Sequence, residues 1–233
     1  MLNLKVVFPT IVGFLLACSA PALADITISD GDFNHWSFNS WGSAGPATAQ
    51  VLATGGNLDA NIEITTKSRI PAPGLSGATA IKDDFTTSGA GFEGGAFTFS
   101  FDVSNSASSF GNGHQIDLLV EQGGSIYGEH VGKTGVSSSR PDYYTLSFSG
   151  VMDASNFTLL LGPGAATPDF SGGTATRFGF GAWNTVSPPL TQNYDNYSLE
   201  IATSAVPESS SFVYMSMGLI GVWGVMRRRR KQA

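Results

Sequence analysis

The chain has 233 residues, of which 12 are lysine or arginine and 18 are aspartate or glutamate, so its formal net charge at pH 7 is −6. Residues 25–206 are more acidic still, with 17 acidic and 6 scattered basic residues and a net charge of −11, which argues against nucleic-acid binding, because that requires a basic patch. Cys18 is the only cysteine, so no disulfide can form within the chain and stability must come from a core or from bound ions.

Residues 1–24 have the layout of a secretory signal peptide. A lysine precedes an apolar run over residues 6–17, and Ala22 and Ala24 supply the small side chains at positions −3 and −1 that a signal peptidase requires. Cleavage is therefore predicted before Asp25, with signal peptidase as the processing partner. The alternative is a lipoprotein box, in which Cys18 is acylated after cleavage.

Residues 25–203 have the pattern of one all-β domain. Short runs of alternating apolar and polar residues are separated by Gly, Ser, Asn and Pro, as in half-buried strands joined by turns. The clearest run covers residues 96–103, and further strands are predicted over residues 61–66, 115–121, 143–148, 157–161, 177–183 and 194–201. No apolar 3.6-residue period is long enough for an ordinary helix. We therefore predict a single β-sandwich of the jelly-roll kind.

Two short segments near the ends of this domain carry a family resemblance. Residues 28–33, Ile-Ser-Asp-Gly-Asp-Phe, followed by Trp36, resemble the opening strand of galactose-binding-like carbohydrate-binding modules. Residues 194–199, Tyr-Asp-Asn-Tyr-Ser-Leu, are similar to the closing strand of those modules and of legume-lectin-like sandwiches. The resemblance implies that the two strands lie side by side and that Asp32 and Asp195 hold a structural calcium ion. Alternatively, these acidic residues form local hydrogen bonds in turns and at strand ends.

Aromatic side chains are the candidates for sugar binding, because an exposed ring can stack on a pyranose face. By residue type the candidates are Trp36, Trp41, Tyr143, Tyr144, Trp183 and Tyr194. We select Trp36 and Trp41 as ligand-binding residues, since the sequence around Trp41 is typical of a loop. The alternative for each ring is a buried core or edge position, which is the commoner environment of Trp and Tyr.

Motifs of catalytic sites are absent from the sequence. None of the three histidines lies at the spacing of a metal site, and no Gly-x-Ser-x-Gly motif occurs. Residues 128–134 resemble a phosphate-binding loop but have three residues between the glycines where four are needed, so we predict a turn there. The enzymatic alternative is a hydrolase that uses two of Glu93, Glu121 and Glu129.

The end of the sequence has the layout of a sorting signal. Val206, Pro207 and Glu208 are followed by a serine run and an apolar stretch over residues 212–226. A basic cluster then consists of Arg227, Arg228, Arg229, Arg230 and Lys231. Residues 206–231 together resemble the PEP-CTERM sorting signal of Gram-negative bacteria, which implies an envelope-embedded exosortase as a partner.

The length and charge of this tail are those of a membrane-spanning segment with its C-terminus in the cytoplasm. Residues 211–226 carry no charge and would form a helix about 24 Å long, against a hydrocarbon core of about 30 Å. The basic cluster would hold the C-terminus in the cytoplasm and leave the β domain outside. Residues 204–211 are then a Ser-rich tether to this transmembrane helix. The alternative is a permanent single-span anchor that no enzyme processes.

These features predict a protein exported across the inner membrane, anchored by its C-terminus before processing, and placed at the cell surface or in the extracellular matrix. As the sorting-signal resemblance implies, we expect it to be non-catalytic and associated with exopolysaccharide. One alternative is a calcium-stabilised carbohydrate-binding module, and a second is a secreted polysaccharide hydrolase.

Overall fold

Strands make up nearly all of the regular structure in this protein. The computed structural model describes residues 25–42, 46–56, 60–67, 75–88, 91–105, 113–135, 142–184 and 189–203. The predicted signal peptide, the tether and the sorting signal all lie outside the described residues. Within the described ranges, no helix is long and apolar enough to cross a membrane.

The described residues contain thirteen strands. In chain order they are β1 (Ile26–Asp30), β2 (Trp36–Trp41), β3 (Thr48–Leu52), β4 (Asn61–Thr66), β5 (Ser76–Lys82), β6 (Thr87–Ser88), β7 (Ala96–Asn105), β8 (Gln115–Gln122), β9 (Ser125–Lys133), β10 (Tyr144–Val151), β11 (Thr158–Leu161), β12 (Ala175–Asn184) and β13 (Leu190–Ile201). A single 3-10 turn, Ala154–Asn156, is the one helical element of the described residues.

The strands form two antiparallel sheets. The first sheet has the order β10-β7-β13-β4-β3, with β1 added beside the C-terminal half of β13. The second sheet has the order β11-β9-β8-β12-β5-β2, with β6 added beside β12. This arrangement confirms the predicted all-β sandwich. The first and last strands pair directly, with Ile26 opposite Ile201 and Asp30 opposite Tyr197, as the family resemblance implies.

Aromatic side chains from both sheets fill the space between them. On β7 the apolar face predicted from the alternating pattern is buried, and Phe99 and Phe101 are at most 1% exposed. Phe101 stacks on Phe180 of β12 with 5.7 Å between ring centroids and meets Tyr194 of β13 at 5.2 Å, so one ring links the two sheets. Burial of such large rings is the main source of stability for a domain without disulfides.

The alternating pattern locates some strands and misses others. The prediction of a strand over residues 61–66 matches β4, and β7, β8 and β12 extend the predicted strands by only a few residues. The turn predicted over residues 128–134 is wrong, because all but the last of these residues belong to β9. Gly128 and Gly132 interrupt the pattern of side chains, and the register with β8 shifts between His130 and Gly132, but residues 125–133 remain one strand.

Candidate functional site

The outward face of the second sheet carries a cluster of four side chains, Trp41, Asp117, His130 and Trp183, which we call the tryptophan platform. Even-numbered residues 116–120 of β8 and 178–182 of β12 point into the core, so the odd-numbered residues between them face outward. Asp117 lies directly opposite His130 of β9, and Trp183 and Trp41 lie opposite the same residue of β5. Four strands therefore contribute to one surface.

Glycines form the floor beneath the Trp41 ring. Trp41 and Trp183 are both paired with Gly77 of β5, and a Cβ atom at Gly77 would lie 2.6 Å from Trp41 Cζ2 and 2.8 Å from Trp183 Cβ. A Cβ atom at Gly181 of β12 would lie 3.2 Å from Trp41 Cη2. The Trp41 indole thus lies across the backbone of β5 and β12, in space that any larger residue at Gly77 would remove.

A buried carboxylate holds the second indole in place. Asp117 is 5% exposed and accepts a hydrogen bond from Trp183 Nε1 at 3.0 Å through Oδ2. Its Oδ1 lies 3.2 Å from His130 Nδ1, and the His130 side chain is 50% exposed. Burial raises the pKa of Asp117, while the hydrogen bonds from Trp183 and His130 oppose that rise. Because both carboxylate oxygens have a partner, Asp117 fixes the two rings relative to each other.

Charged groups occupy the other end of the same face. Arg177 lies six residues before Trp183 on β12, or about 20 Å along the strand. Its guanidinium donates to Asp83 and to Glu121, each at 2.6 Å. The single cation is shared between two carboxylates, so this end of the face does not present a free positive charge.

Trp36 does not belong to this surface. It is 8% exposed and packs against Phe33 and Tyr197, with ring centroids 5.6 and 5.0 Å away. Its Nε1 donates to Asp30 Oδ2 at 3.0 Å, which satisfies the polar edge of the ring. The expectation that Trp36 presents a ring to a ligand is therefore wrong, whereas Trp41 at the other end of β2 faces outward.

The two predicted calcium ligands have different surroundings. Asp32 is exposed, and its carboxylate accepts from Asn34 Nδ2 at 3.2 Å. Asp195 is 2% exposed and lies directly opposite Asp102 on β7. None of the contacts described for Asp32 and Asp195 joins the two, so the surroundings of Asp195 lead to Asp102 instead.

A fully buried amide lies near Asp195. Asn61 is 0% exposed, and among the described residues neither its Oδ1 nor its Nδ2 has a hydrogen-bond partner. A Cβ atom at Gly56 would lie 2.7 Å from Asp195 Oδ2, and one at Gly55 would lie 3.5 Å from Asn61 Nδ2, so both side chains adjoin the same loop segment. Carboxylate and amide oxygens are the donors that calcium prefers, and Asp195, Asp102 and Asn61 fit that ion better than Asp32 does.

The three glutamates considered for hydrolysis have structural partners. Glu121 binds Arg177 on the outward face of the second sheet. Glu129 accepts from Asn156 Nδ2 at 3.3 Å, and Glu93 accepts from the backbone N–H of Ala154 at 3.1 Å. Among the described residues, no group of three or more His, Cys, Asp or Glu side chains is arranged to hold a metal ion.

Sequence reasoning identified part of the platform. Trp41 was selected, and Trp183 was a candidate by residue type, but Asp117 and His130 were missed. One signal was available, since Asp117 stands alone within the apolar strand Gln-Ile-Asp-Leu-Leu-Val and a buried carboxylate requires partners. Nothing in the sequence says which partners those are.

Comparisons with known proteins find similarity only at the level of structure. No family model matches the sequence, and no curated protein matches it. The structure is similar to the Family 11 Carbohydrate-Binding Module of cellulosomal cellulase Lic26A-Cel5E of Clostridium thermocellum, with 15% identity over 76% of this chain and 95% of that chain and a TM-score of 0.42. It is also similar to the CBM22-1 xylan-binding domain from Paenibacillus barcinonensis Xyn10C, with 12% identity over 80% of this chain and 100% of that chain and a TM-score of 0.44.

An enzyme is among the similar structures as well. A cyclase from Fischerella sp. TAU has 10% identity over 78% of this chain and 100% of that chain, with a TM-score of 0.40. All three TM-scores are below 0.5, so these similarities carry no argument about function.

Proposed function

We propose that this chain is a non-catalytic glycan-binding protein whose tryptophan platform binds a neutral polysaccharide. The observation that supports the proposal is the pair of half-buried indoles, Trp41 and Trp183, on one face beside a buried carboxylate and a half-exposed imidazole. Such a face combines apolar area with a few fixed polar groups, which is the usual composition of a small-molecule or oligosaccharide site.

The chemistry of the platform suits a sugar. One face of a pyranose consists mainly of C–H groups and stacks on an indole, while its rim of hydroxyl groups needs hydrogen-bond donors and acceptors. Trp41 and Trp183 supply the apolar surface, and Asp117 and His130 supply polar atoms beside it. Because the Asp117–Trp183 bond already exists without ligand, little side-chain entropy is lost when the ligand binds.

Charge favours a neutral ligand over an acidic one. The stretch that contains the domain has a net charge of −11, and the platform includes the carboxylate of Asp117. Arg177, the basic residue of β12, is already shared by Asp83 and Glu121, and the exposed Lys133 at the end of β9 is one cation against that net negative charge. A polysaccharide rich in uronate or sulfate would meet repulsion that neutral hexose or pentose chains do not.

A glycan array probed with the purified full chain tests this function. We expect binding to neutral polysaccharides and loss of that binding in Trp41→Ala, because the ring that lies on the glycine floor is removed. Val51→Ala is the matched control, since Val51 is an exposed apolar residue on β3 of the first sheet. Failure of the wild-type chain to bind any neutral glycan would contradict the proposal, and so would unchanged binding by Trp41→Ala.

We also propose that the chain is exported and then sorted at its C-terminus, as the layout of residues 1–24 and 206–231 suggests. Cleavage after Ala24 would give a mature chain that begins at Asp25. Mass spectrometry of the protein isolated from envelope and medium fractions is expected to show loss of residues 1–24, and loss of the sorting signal where an exosortase is present. Recovery of the intact 24.3 kDa chain from the cytosol would refute export.

A structural calcium ion is a further part of the proposal, with Asp195, Asp102 and Asn61 as the residues that would hold it. The support is the unpartnered amide of Asn61 next to a buried carboxylate, since a bound cation would satisfy its Oδ1. Removal of calcium with a chelator is expected to lower the melting temperature by several degrees, because the ion binds the folded state alone. Asn61→Ala should abolish this dependence, and an unchanged melting temperature in the wild type would exclude the ion.

A further inference from the structure

The edge of the first sheet that is formed by β10 is a surface that the glycan platform does not use. β10 ends this sheet and, among the described strands, pairs with β7 alone. Its eight residues contain no charge and no proline, and their register with β7 is continuous. Natural edge strands usually carry charges, prolines or bulges that prevent pairing with another chain. β10 has none of these and is the longest strand at the end of either sheet.

We propose that β10 pairs antiparallel with β10 of a second copy of this chain, about a twofold axis at Ser147, so that two first sheets become one continuous sheet. This register sets Ser147 against Ser147 of the second copy. It also sets Leu146 against Phe148 and Tyr144 against Gly150. Each residue then meets a residue of the same sheet face, as antiparallel pairing requires.

The inward side of β10 is suited to such pairing. Tyr144, Leu146 and Phe148 are half-buried and pack against the edge of the core, so part of their apolar surface faces solvent in one copy. A second β10 would cover that surface, because Leu146 and Phe148 of the two copies would become neighbours. Gly150 contributes no side chain opposite the large ring of Tyr144, and the Phe97 ring of the same copy packs over it, 2.8 Å from where a Cβ atom would lie.

The outward side of β10 allows a second copy of this acidic chain to bind there. Thr145, Ser147 and Ser149 are exposed and uncharged, and the twofold register pairs hydroxyl with hydroxyl. The domain otherwise carries a strong negative charge, which opposes self-association over most of its surface. Along β10 no like charges would face each other, so this edge is where two copies can approach.

Two-fold pairing through the first sheet would leave the outward face of each second sheet uncovered. A pair of chains would then display two tryptophan platforms and bind a repeating polysaccharide with avidity. This consequence alone rests on the proposed function, since the pairing of β10 itself does not depend on any ligand.

Sedimentation equilibrium of the full chain tests the pairing. We expect the wild type to form dimers, and Ser147→Lys and Ser147→Glu each to weaken dimerisation by at least about tenfold, because two like charges would meet on the axis. An equimolar mixture of the two variants should recover a mixed dimer, which misfolded chains would not do. Thr98→Lys is the matched control, since Thr98 is exposed on the same sheet face but in β7, an interior strand.

The outcomes of this experiment are decisive in both directions. Dimers in the wild type and in Thr98→Lys, with loss in each Ser147 variant and recovery in the mixture, would support the proposal. A monomeric wild type would overturn it, as would Ser147→Lys that dimerises like the wild type or a mixture that stays monomeric. Glycan binding by a monomeric wild type would overturn the dimer and leave the proposed function intact.

Discussion

Trp183→Ala is expected to weaken glycan binding by about 30-fold or more, equivalent to about 2 kcal/mol. The substitution removes an indole from the platform, and with it the Nε1–H group that donates a hydrogen bond to Asp117. A buried carboxylate oxygen without a partner lowers the stability of the domain. His130 would also lose its fixed position, because it is held by the other oxygen of the same carboxylate. Isothermal titration calorimetry with a neutral oligosaccharide selected from the array measures the change.

Trp183→Phe separates the two contributions of this residue. Phenylalanine keeps an aromatic ring for stacking but cannot donate to Asp117, so we expect a loss intermediate between the wild type and Trp183→Ala. The melting temperature of both variants serves as a check on folding. Equal affinity of Trp183→Ala and the wild type would show that the platform is not the binding surface.

Acidification is expected to destabilise the domain through His114 well before most carboxylates titrate. His114 is 0% exposed, and burial lowers its pKa to about 3 from an ordinary value of 6.5, against a smaller opposing effect of the Leu190 carbonyl. Its Nε2 lies 3.2 Å from that carbonyl oxygen, which can only accept, so we infer that Nε2 carries the proton. Nδ1 then accepts from the Tyr194 hydroxyl at 2.6 Å, in preference to Gln192 Oε1, which lies 3.1 Å from the same hydroxyl.

The direction of the pH effect follows from this neutral histidine. Its folded-state pKa lies below the unfolded value, so the stability it contributes is fully present above about pH 6.5 and is lost as the pH falls towards 3. By pH 5 the loss amounts to about 2 kcal/mol, since each pKa unit corresponds to about 1.4 kcal/mol. The raised pKa of Asp117 acts in the opposite direction, because protonation of that carboxylate favours the folded state.

Urea unfolding at pH 7 and pH 5 measures this difference. His114→Gln is the informative variant, because glutamine can form hydrogen bonds but does not titrate. We expect it to be less stable than the wild type at pH 7 and to lose less stability between pH 7 and pH 5. A wild type equally stable at both pH values would contradict the assignment of a neutral, buried His114.

The alternating pattern of the sequence was enough to predict the strands that carry large apolar side chains. Phe97, Phe99 and Phe101 recur at every second position of β7, and such a period buries one face of a strand wherever that strand lies in the sheet. β5 and β9 were not predicted, because small residues and glycines replace the large apolar ones that reveal the period. Those strands are recognised by their hydrogen-bonded neighbours, which are distant in sequence.

Local order in the chain thus determined the all-β class and the inward faces of the main strands, while the pairing of the first and last strands was implied by the family resemblance at the two ends. Strand order and register decided which side chains share the outward face, and both depend on packing between residues far apart in the chain. Trp36 and Trp41 show the difference. Their odd separation within β2 places them on opposite faces, but only packing against Phe33 and Tyr197 made Trp36 the buried one. The same packing left Trp41 on the outward face, to which three other strands contribute Asp117, His130 and Trp183.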